Sequence, residues 1–433
     1  MSEGKLGRAL WVLFAVNVLN FYDRHVIGAL AEPIRREFNL TDTDLGLLGS
    51  AFIWLYAFIG VPIGRVADTW SRRKLLALGT LIWSLLTALN GAATSFTTLL
   101  LARLGVATGE AACAPTATSW IGDLYQREQR SRALAIFMLG VPIGAGLSGF
   151  FSGYFAQLYG WRIAMVLAAV PGVLLVPLLL TLPEPVRGAT EKHGQIETAG
   201  SAWGVLRIPT LWWIIASGAL LNFNMYAFGS FLPAFFARVH GVSLAQSGVL
   251  AGIVSLIGGV SGGLLASRLG DAAIRKRQNG RMRMGAWLAL ATAPLALFGI
   301  QSGNVLLSVF LLALAYGGCN SYYGFVYPSI QDIVPPSLRS TTMAVYFMAM
   351  YLCGASFGPL LTGRLSDLRA RAAAEAAGSA TITEAFRATG LREAMLIIPV
   401  LALGLAIVLW AGSRTIAADI ARREQRMAKA ATA

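Results

Sequence analysis

The sequence predicts an all-α polytopic membrane protein, with twelve transmembrane helices arranged as two six-helix bundles. Of its 433 residues, 56% are hydrophobic and only 13% charged, against about 25% charged in an ordinary soluble domain. Apolar runs of membrane-crossing length recur along the whole chain. Short motifs in the first half return, in the same order and at nearly one spacing, in the second. Strand-type alternation is absent, which excludes an outer-membrane barrel.

The first six runs fall at 9–31, 45–67, 75–92, 97–121, 133–156 and 162–182. The second six fall at 210–236, 243–267, 284–301, 304–330, 341–364 and 392–413. Residues 1–182 therefore form the first bundle and 210–413 the second, with 414–433 left as a basic tail. Between the bundles, residues 183–209 are polar with two early prolines and read as a linker, whose end at Trp203 to Arg207 suits a short interfacial helix. Duplication accounts for the halves. "RVADTWSRRK" at 65–74 matches "RLGDAAIRKR" at 268–277, an offset of 203. "IGDLYQREQRS" at 121–131 matches "IQDIVPPSLRS" at 330–340, an offset of 209, and "LNF" recurs at an offset of 202.

With both termini in the cytoplasm, about 24 lysines and arginines lie on that side and about 9 on the other, as the positive-inside rule requires. The loop at 365–391 runs against the trend with Arg369, Arg371 and Arg387. A cell-membrane, inner-membrane location with both termini inside follows. The net charge of +14 is explained by these loops, so a nucleic-acid partner is not expected. The first run holds a charged pair and no A-x-A cleavage pattern, so it reads as a span and not a signal peptide. Cys113, Cys319 and Cys353 make no C-x-x-C pair and read as small core residues. No metal site, phosphate-binding loop, H-E-x-x-H or serine–histidine pairing is present, so no cofactor and no enzyme activity are expected.

Chemistry enters with charges at membrane depth. A charge at a helix centre costs about 2.5–3.5 kcal/mol on insertion scales. "LNFYDRHV" places Asp23 and Arg24 inside the first run, and "RLGVATGEAA" places Arg103 and Glu110 inside the fourth. Asp23 and Arg24 are adjacent, so they point about 100° apart and need partners on other helices. Arg103 and Glu110, about 700° of turn and about 10.5 Å of rise apart, face the same way and can converge. Two acids and two bases sum to zero, and the second half carries Met225, Leu312 and Cys319 at the matching positions. Arg24 with Glu110 is the favoured pair. That leaves Asp23, with Glu110 second, as the proton carrier, because a proton lowers the cost of burying a carboxylate. Arg24 and Arg103 neutralise the acids and become free for an anionic headgroup on protonation. His25 and the sequon at Asn39 are given no role.

"GRVADTWSRRK" is the most specific motif. Gly64 is expected to permit close helix approach, Asp68 to pair with Arg72 one turn on, Asp123 to accept from Arg72 as well, and Arg130 to complete a gating latch. Gly144, Gly146 and Gly149 spell G-x-G-x-x-G, but with no preceding strand they read as helix packing.

Gly64, Asp68, Arg72, Arg73 and Lys74 match the signature that follows the second helix in the major facilitator superfamily, which the chain resembles throughout. The glycine–proline run containing Pro142 is similar to that of its exporters. "NFYDR", "R-x-x-x-x-x-G-E-A", "LPEPVRG" and "VPPSLRS" together resemble the bacterial type of the spinster family. The resemblance implies a proton-coupled secondary transporter, acting by alternating access and proton exchange or antiport, for lysolipids or sphingosine-1-phosphate-like lipids. It also implies that the first, fourth, seventh and tenth helices line one cavity. Asn20, Tyr22, Asn222, Asn224, Tyr226, Tyr316, Asn320, Tyr323 and Tyr346, with Met350 nearby, are then candidates for its polar-aromatic wall. The expected partners are a lipid or small amphipathic anion and the membrane lipids, and the expected state is a monomer. The alternatives are a small organic anion or drug as substrate, or a lipid sensor that does not transport.

Overall fold

The computed structural model describes residues 3–125, 127–185, 202–334 and 339–432, and within these ranges the side chains of Asp68 and Arg130, among others, lie outside the description. The described residues are helical nearly throughout. In chain order the helices are α1 (Glu3–Ala29), α2 (Ala31–Phe38), α3 (Asp42–Thr69), α4 (Arg72–Asn90), α5 (Phe96–Glu110), α6 (Cys113–Leu124), α7 (Arg127–Met138), α8 (Gly140–Tyr159) and α9 (Trp161–Leu180). A short 3-10 helix follows at Ala202–Arg207, where the linker was expected to end in a helix. Then come α10 (Pro209–Val239), α11 (Leu244–Lys276), α12 (Gly280–Gln301), α13 (Val305–Ile333), α14 (Arg339–Met350), a π-helical turn at Tyr351–Ala355, α15 (Phe357–Ala376), α16 (Glu384–Met395) and α17 (Ile397–Thr432).

The breaks have local causes. Thr41 opens α3 and Ser95 opens α5 through reciprocal capping with Asp44 and Thr98. Gly160, at φ +83°, turns the chain between α8 and α9 where a side chain would be strained. Two expectations are corrected here. The run at 97–121 is not one helix, because the chain turns at Ala111–Ala112 between α5 and α6. The basic tail does not begin at 414, because α17 continues unbroken and Asp419 receives the backbone N–H of Thr210 at the start of α10.

Among the described residues, nine helical stretches are long and apolar enough to cross a membrane. The runs expected at 9–31, 75–92 and 97–121 are not among them; the first holds Asp23 and Arg24, and the last is split. The molecule is an all-α, multi-pass membrane protein. Its outward surface is apolar, with Leu174, Leu306 and Ile407 each at least 70% exposed, which suits hydrocarbon and not water.

The starts of α1 and α10 and the end of α17 lie toward one face, which we term the terminal face. α1 and α10 run in the same direction and converge toward the opposite face, where a β-carbon on Gly28 would collide with the Gly229 carbonyl. α8 and α11 cross through Gly149 and Gly248, each leaving no room for a β-carbon on the other. The glycine run of α8 thus serves close helix contact, as expected. α3 meets α15 where Gly46 lies on Pro359. Hydrogen bonds between the chain before 185 and the chain after 202 include that of Arg24 with Tyr226 and, toward the opposite face, those of Arg35 with Glu384, Asp42 with Asp367, Gln157 with Ala245 and Ser50 with Leu360.

Candidate functional site

The four charges of α1 and α5 do meet. Arg24 donates from Nε and Nη2 to Glu110 Oε2 at 3.2 and 3.1 Å, and the Glu110 side chain is fully buried. Arg24 also donates to Asn20 Oδ1 at 3.3 Å and to the Tyr226 hydroxyl on α10 at 3.4 Å. Its guanidinium lies over the Tyr56 ring, 4.5 Å from the centroid, and near Phe21 and Phe52. Arg24 is therefore held by an acid, an amide and a cage of rings from α1, α3 and α10.

Arg103 does something different from what its spacing to Glu110 suggests. Its Nη1 and Nη2 donate to the backbone carbonyls of Asp23 and Arg24, both at 2.9 Å, and its face stacks on Phe52. Arg103 and Glu110 do not pair with each other but meet on the same stretch of α1: Glu110 binds the Arg24 side chain, and Arg103 clamps the backbone at Asp23 and Arg24. Asp23 turns the other way from Arg24, toward Trp83 and Thr87 of α4. Its Oδ1 is buried without a hydrogen-bond partner, as are Glu110 Oε1 and Asn20 Nδ2.

The expected polar-aromatic wall is only partly assembled. Tyr226 reaches Arg24, and Tyr323 donates to Asn222 Oδ1 at 3.2 Å. Asn222 also donates toward the Met350 sulfur. Asn224 is turned to the other side of α10, where it donates to the Ile398 carbonyl. Tyr346 is fully buried against Tyr322, which in turn bonds Ser217. Tyr22 meets Ser152 on α8, and Asn320 donates to the Gly259 carbonyl on α11. Tyr316 packs edge-on to Phe228. Asn224, Tyr346, Tyr22 and Asn320 thus satisfy helix contacts instead of joining the Arg24 cluster.

At the terminal face Arg72 is almost fully buried and donates to Asp123 Oδ2 at 2.5 Å, to Ser119 and to the Pro185 carbonyl. The expected helical register between Asp68 and Arg72 is corrected, because α3 ends at Thr69 and Ser71 caps a new helix. The Asp68 and Arg130 side chains lie outside the described residues. Gly64 is also corrected as a contact glycine, since a β-carbon there would meet nothing within 4 Å. Glu184, missed in the sequence, accepts from the Arg72 amide at 2.6 Å and the Ser71 hydroxyl at 2.5 Å. Cys113 and Cys319 are buried as expected, but Cys353 is exposed.

A second charge cluster, also missed, closes the opposite face. Arg238 at the end of α10 binds Asp42 through two hydrogen bonds of 2.8 Å and also pairs with Glu32. Arg35 bridges Glu32 and Glu384, the latter at 2.8 Å. Ser366 donates to Asp42, and Asp367 receives the amides of Asp42 and Thr43 at the start of α3. Between the two clusters lies a cavity of about 40 Å³ lined by Arg24, His25, Phe52, Arg103, Gly229 and Ser230. It has room for water and not for a lipid.

These features agree with what the chain resembles. Residues 13–359 match the Major Facilitator Superfamily. An MFS-type efflux pump of Mycolicibacterium smegmatis is 32% identical over 361 residues, 83% of this chain and 84% of that protein. Protein spinster homolog 1 of Homo sapiens is 27% identical over 402 residues, 85% of this chain and 74% of that one. The crystal structure of a bacterial homolog to the human lysosomal transporter Spinster, inward-facing and unoccupied, superposes with a TM-score of 0.86 at 28% identity, covering 97% of this chain and 99% of that one. The chain belongs to the Major Facilitator Superfamily, as a secondary transporter homologous to the spinster proteins.

Proposed function

We propose that the protein is a proton-coupled transporter of an amphipathic, anionic lipid of the lysolipid or sphingoid-phosphate class. Twelve spans in two six-helix halves, 1–182 and 210–413, rock about the Arg24 cluster, with both termini in the cytoplasm of an inner-membrane location. The contacts at the opposite face then make this an inward-open state. The observation that carries the reading is the buried Arg24–Glu110 pair beside an unpartnered Asp23 carboxyl oxygen. With both acids ionised the four charges sum to zero. A proton on Asp23 leaves the cluster with one net positive charge, which an anionic headgroup at Arg24 restores to neutrality. The bacterial spinster homolog, solved inward-facing in both unoccupied and occupied forms, supports a ligand-accepting inward-facing state.

The test is uptake of radiolabelled lysophosphatidic acid into proteoliposomes under an imposed pH gradient. Uptake should respond to the gradient in the wild type and lose that response in Asp23→Asn, which keeps shape and removes titration. A wild-type pH response in folded Asp23→Asn would sink the assignment. A second reading, a small organic anion or drug as substrate, is favoured by the 32% identity to an efflux pump. Uptake that rises with lysolipid tail length selects the lipid; indifference to the tail, with transport of benzoate, selects the small anion.

A further inference from the structure

We propose that Asp23 exchanges its proton through a hydrated polar cleft bounded by α1, α4 and α9, separate from the face on which Arg24 meets α10. The proposal rests on the proton-coupled reading above and adds a route to it.

The two neighbours in the sequence face different surroundings. Arg24 looks onto Tyr56 and Tyr226, where the two halves meet. Asp23 looks into the first half, onto Trp83 and Thr87 of α4. Around its carboxyl group a whole strip of α4 is polar, buried and unsatisfied. Trp83 Nε1 and Thr87 Oγ1 face the Asp23 carboxyl group without reaching good hydrogen-bond geometry, and Ser84 Oγ and Asn90 Oδ1 have no partner. None of these five residues is more than 2% exposed. Residues 83, 84, 87 and 90 recur at the spacing of one helix face. Buried donors and acceptors left without partners cost about 1–3 kcal/mol each, and natural interiors rarely carry several together. Bound water satisfies all of them at once, since each water takes two to four polar partners.

The strip has a direction. It starts at Asp23 and runs along α4 toward the turn after Asn90, where Ala92, Thr94 and Ser95 are exposed. Gly172 of α9 lines it, for a β-carbon there would collide with Ser84 Oγ. The strip itself holds no charge, and at its far end Arg162 of α9, paired with Glu37, donates to the Gly91 and Ala93 carbonyls. The charged and titratable groups facing Asp23 are Arg103 and Glu110 on α5, with Tyr22 and Arg24 on its own helix. Trp83, Ser84 and Thr87 are therefore positioning residues for water.

The two fully buried tryptophans of the first half supply an internal control. Trp120 donates to the Pro183 carbonyl, whereas Trp83 Nε1 makes no well-formed hydrogen bond and faces the Asp23 carboxyl group. Radiolytic hydroxyl-radical footprinting of the full chain in detergent, which oxidises side chains beside bound water, should modify Trp83 several times faster than Trp120. Thr87→Val, which keeps the shape and removes the hydroxyl, should bring Trp83 down toward the Trp120 rate. In proteoliposomes the same variant should slow proton-driven lysophosphatidic acid uptake and shift its pH profile. Equal oxidation of Trp83 and Trp120 overturns the cleft, and a wild-type pH profile in folded Thr87→Val overturns the route. Neither result touches the assignment of Asp23 itself, which fails only if Asp23→Asn keeps its pH response, and the footprint needs no substrate.

Discussion

Arg24 on α1 and Glu110 on α5, 86 residues apart in the chain, share a fully buried ion pair of 3.1 Å. Their separation in sequence and closeness in space make the pair a test of how buried charge is managed. Removing Arg24 alone strands Glu110 as an uncompensated charge, which costs about 3–5 kcal/mol. Removing both costs less. Arg24→Gln should therefore lower the melting temperature in detergent more than Arg24→Gln combined with Glu110→Gln. A double-mutant cycle measures the coupling, and strict additivity would show that the contact carries none.

Glu184 ties the segment after α9 to the first turn of α4 through Ser71 and the Arg72 amide. Glu184→Gln weakens both bonds without changing shape, because charge-assisted hydrogen bonds are roughly twice as strong as neutral ones. Amide hydrogen exchange should speed up at Arg72 and Lys74 and stay unchanged in later turns of α4. Unaltered exchange at Arg72 would mean that the Ser71 cap alone, which accepts from the Lys74 amide, holds the turn.

What could be read in the sequence followed from what is abnormal in an apolar helix. Asp23, Arg24, Arg103 and Glu110 stand out because charge is costly at membrane depth, and so does their need for one another. Glu32, Asp42, Arg238 and Glu384 do not, because they sit at helix ends where charge is ordinary. Only the tertiary contact makes them a cluster. The Asp68–Arg72 register failed for a local reason: Ser71 caps α4, and an N-cap with extended backbone breaks the helical phase. Asn222 and Asn224 are two apart on α10, hence about 200° apart, so one helix cannot turn both to the same cavity. Periodicity contains that answer once the pair is considered together.

Glu37, which lies in the last turn of α2 outside the membrane-crossing stretches, gives a pH dependence with a definite sign. Its carboxyl is held below the ordinary range chiefly by the hydrogen bond from Trp161 Nε1, with partial burial opposing and Arg162 assisting. Both bonds measure 2.5 Å. A lowered folded-state value means that the contact contributes fully above the ordinary carboxylate range and is lost as pH falls through the lowered value. The site is largely exposed, so the effect is local and screened. Trp161 fluorescence, taken as the difference from Trp161→Phe, should change on acidification in the wild type and stay flat in Glu37→Gln. A matching change in Glu37→Gln would assign the titration to another group.

Arg238 holds the opposite face closed. It binds both Asp42 oxygens and Glu32 from the other side of the interface, and its side chain is 2% exposed. Opening this face must part Arg238 from two carboxylates, and the contact exists only while the face is shut, so it stabilises that state alone. Arg238→Gln leaves Asp42 and Glu32 facing each other with only Arg35 nearby, so repulsion adds to the lost attraction. A bias of about 3 kcal/mol is roughly a hundredfold change in the balance of states. Ser230 lines the small cavity behind the latch. In a background with Cys113, Cys319 and Cys353 replaced, a cysteine at position 230 should react with an impermeant maleimide much faster in Arg238→Gln than with Arg238 intact. Asp42→Asn should act in the same direction and less strongly, because Glu32 still holds the arginine. Equal labelling in all three proteins, each shown to be folded, would mean that apolar packing such as Gly28 on Gly229 keeps the face shut without help from the charges.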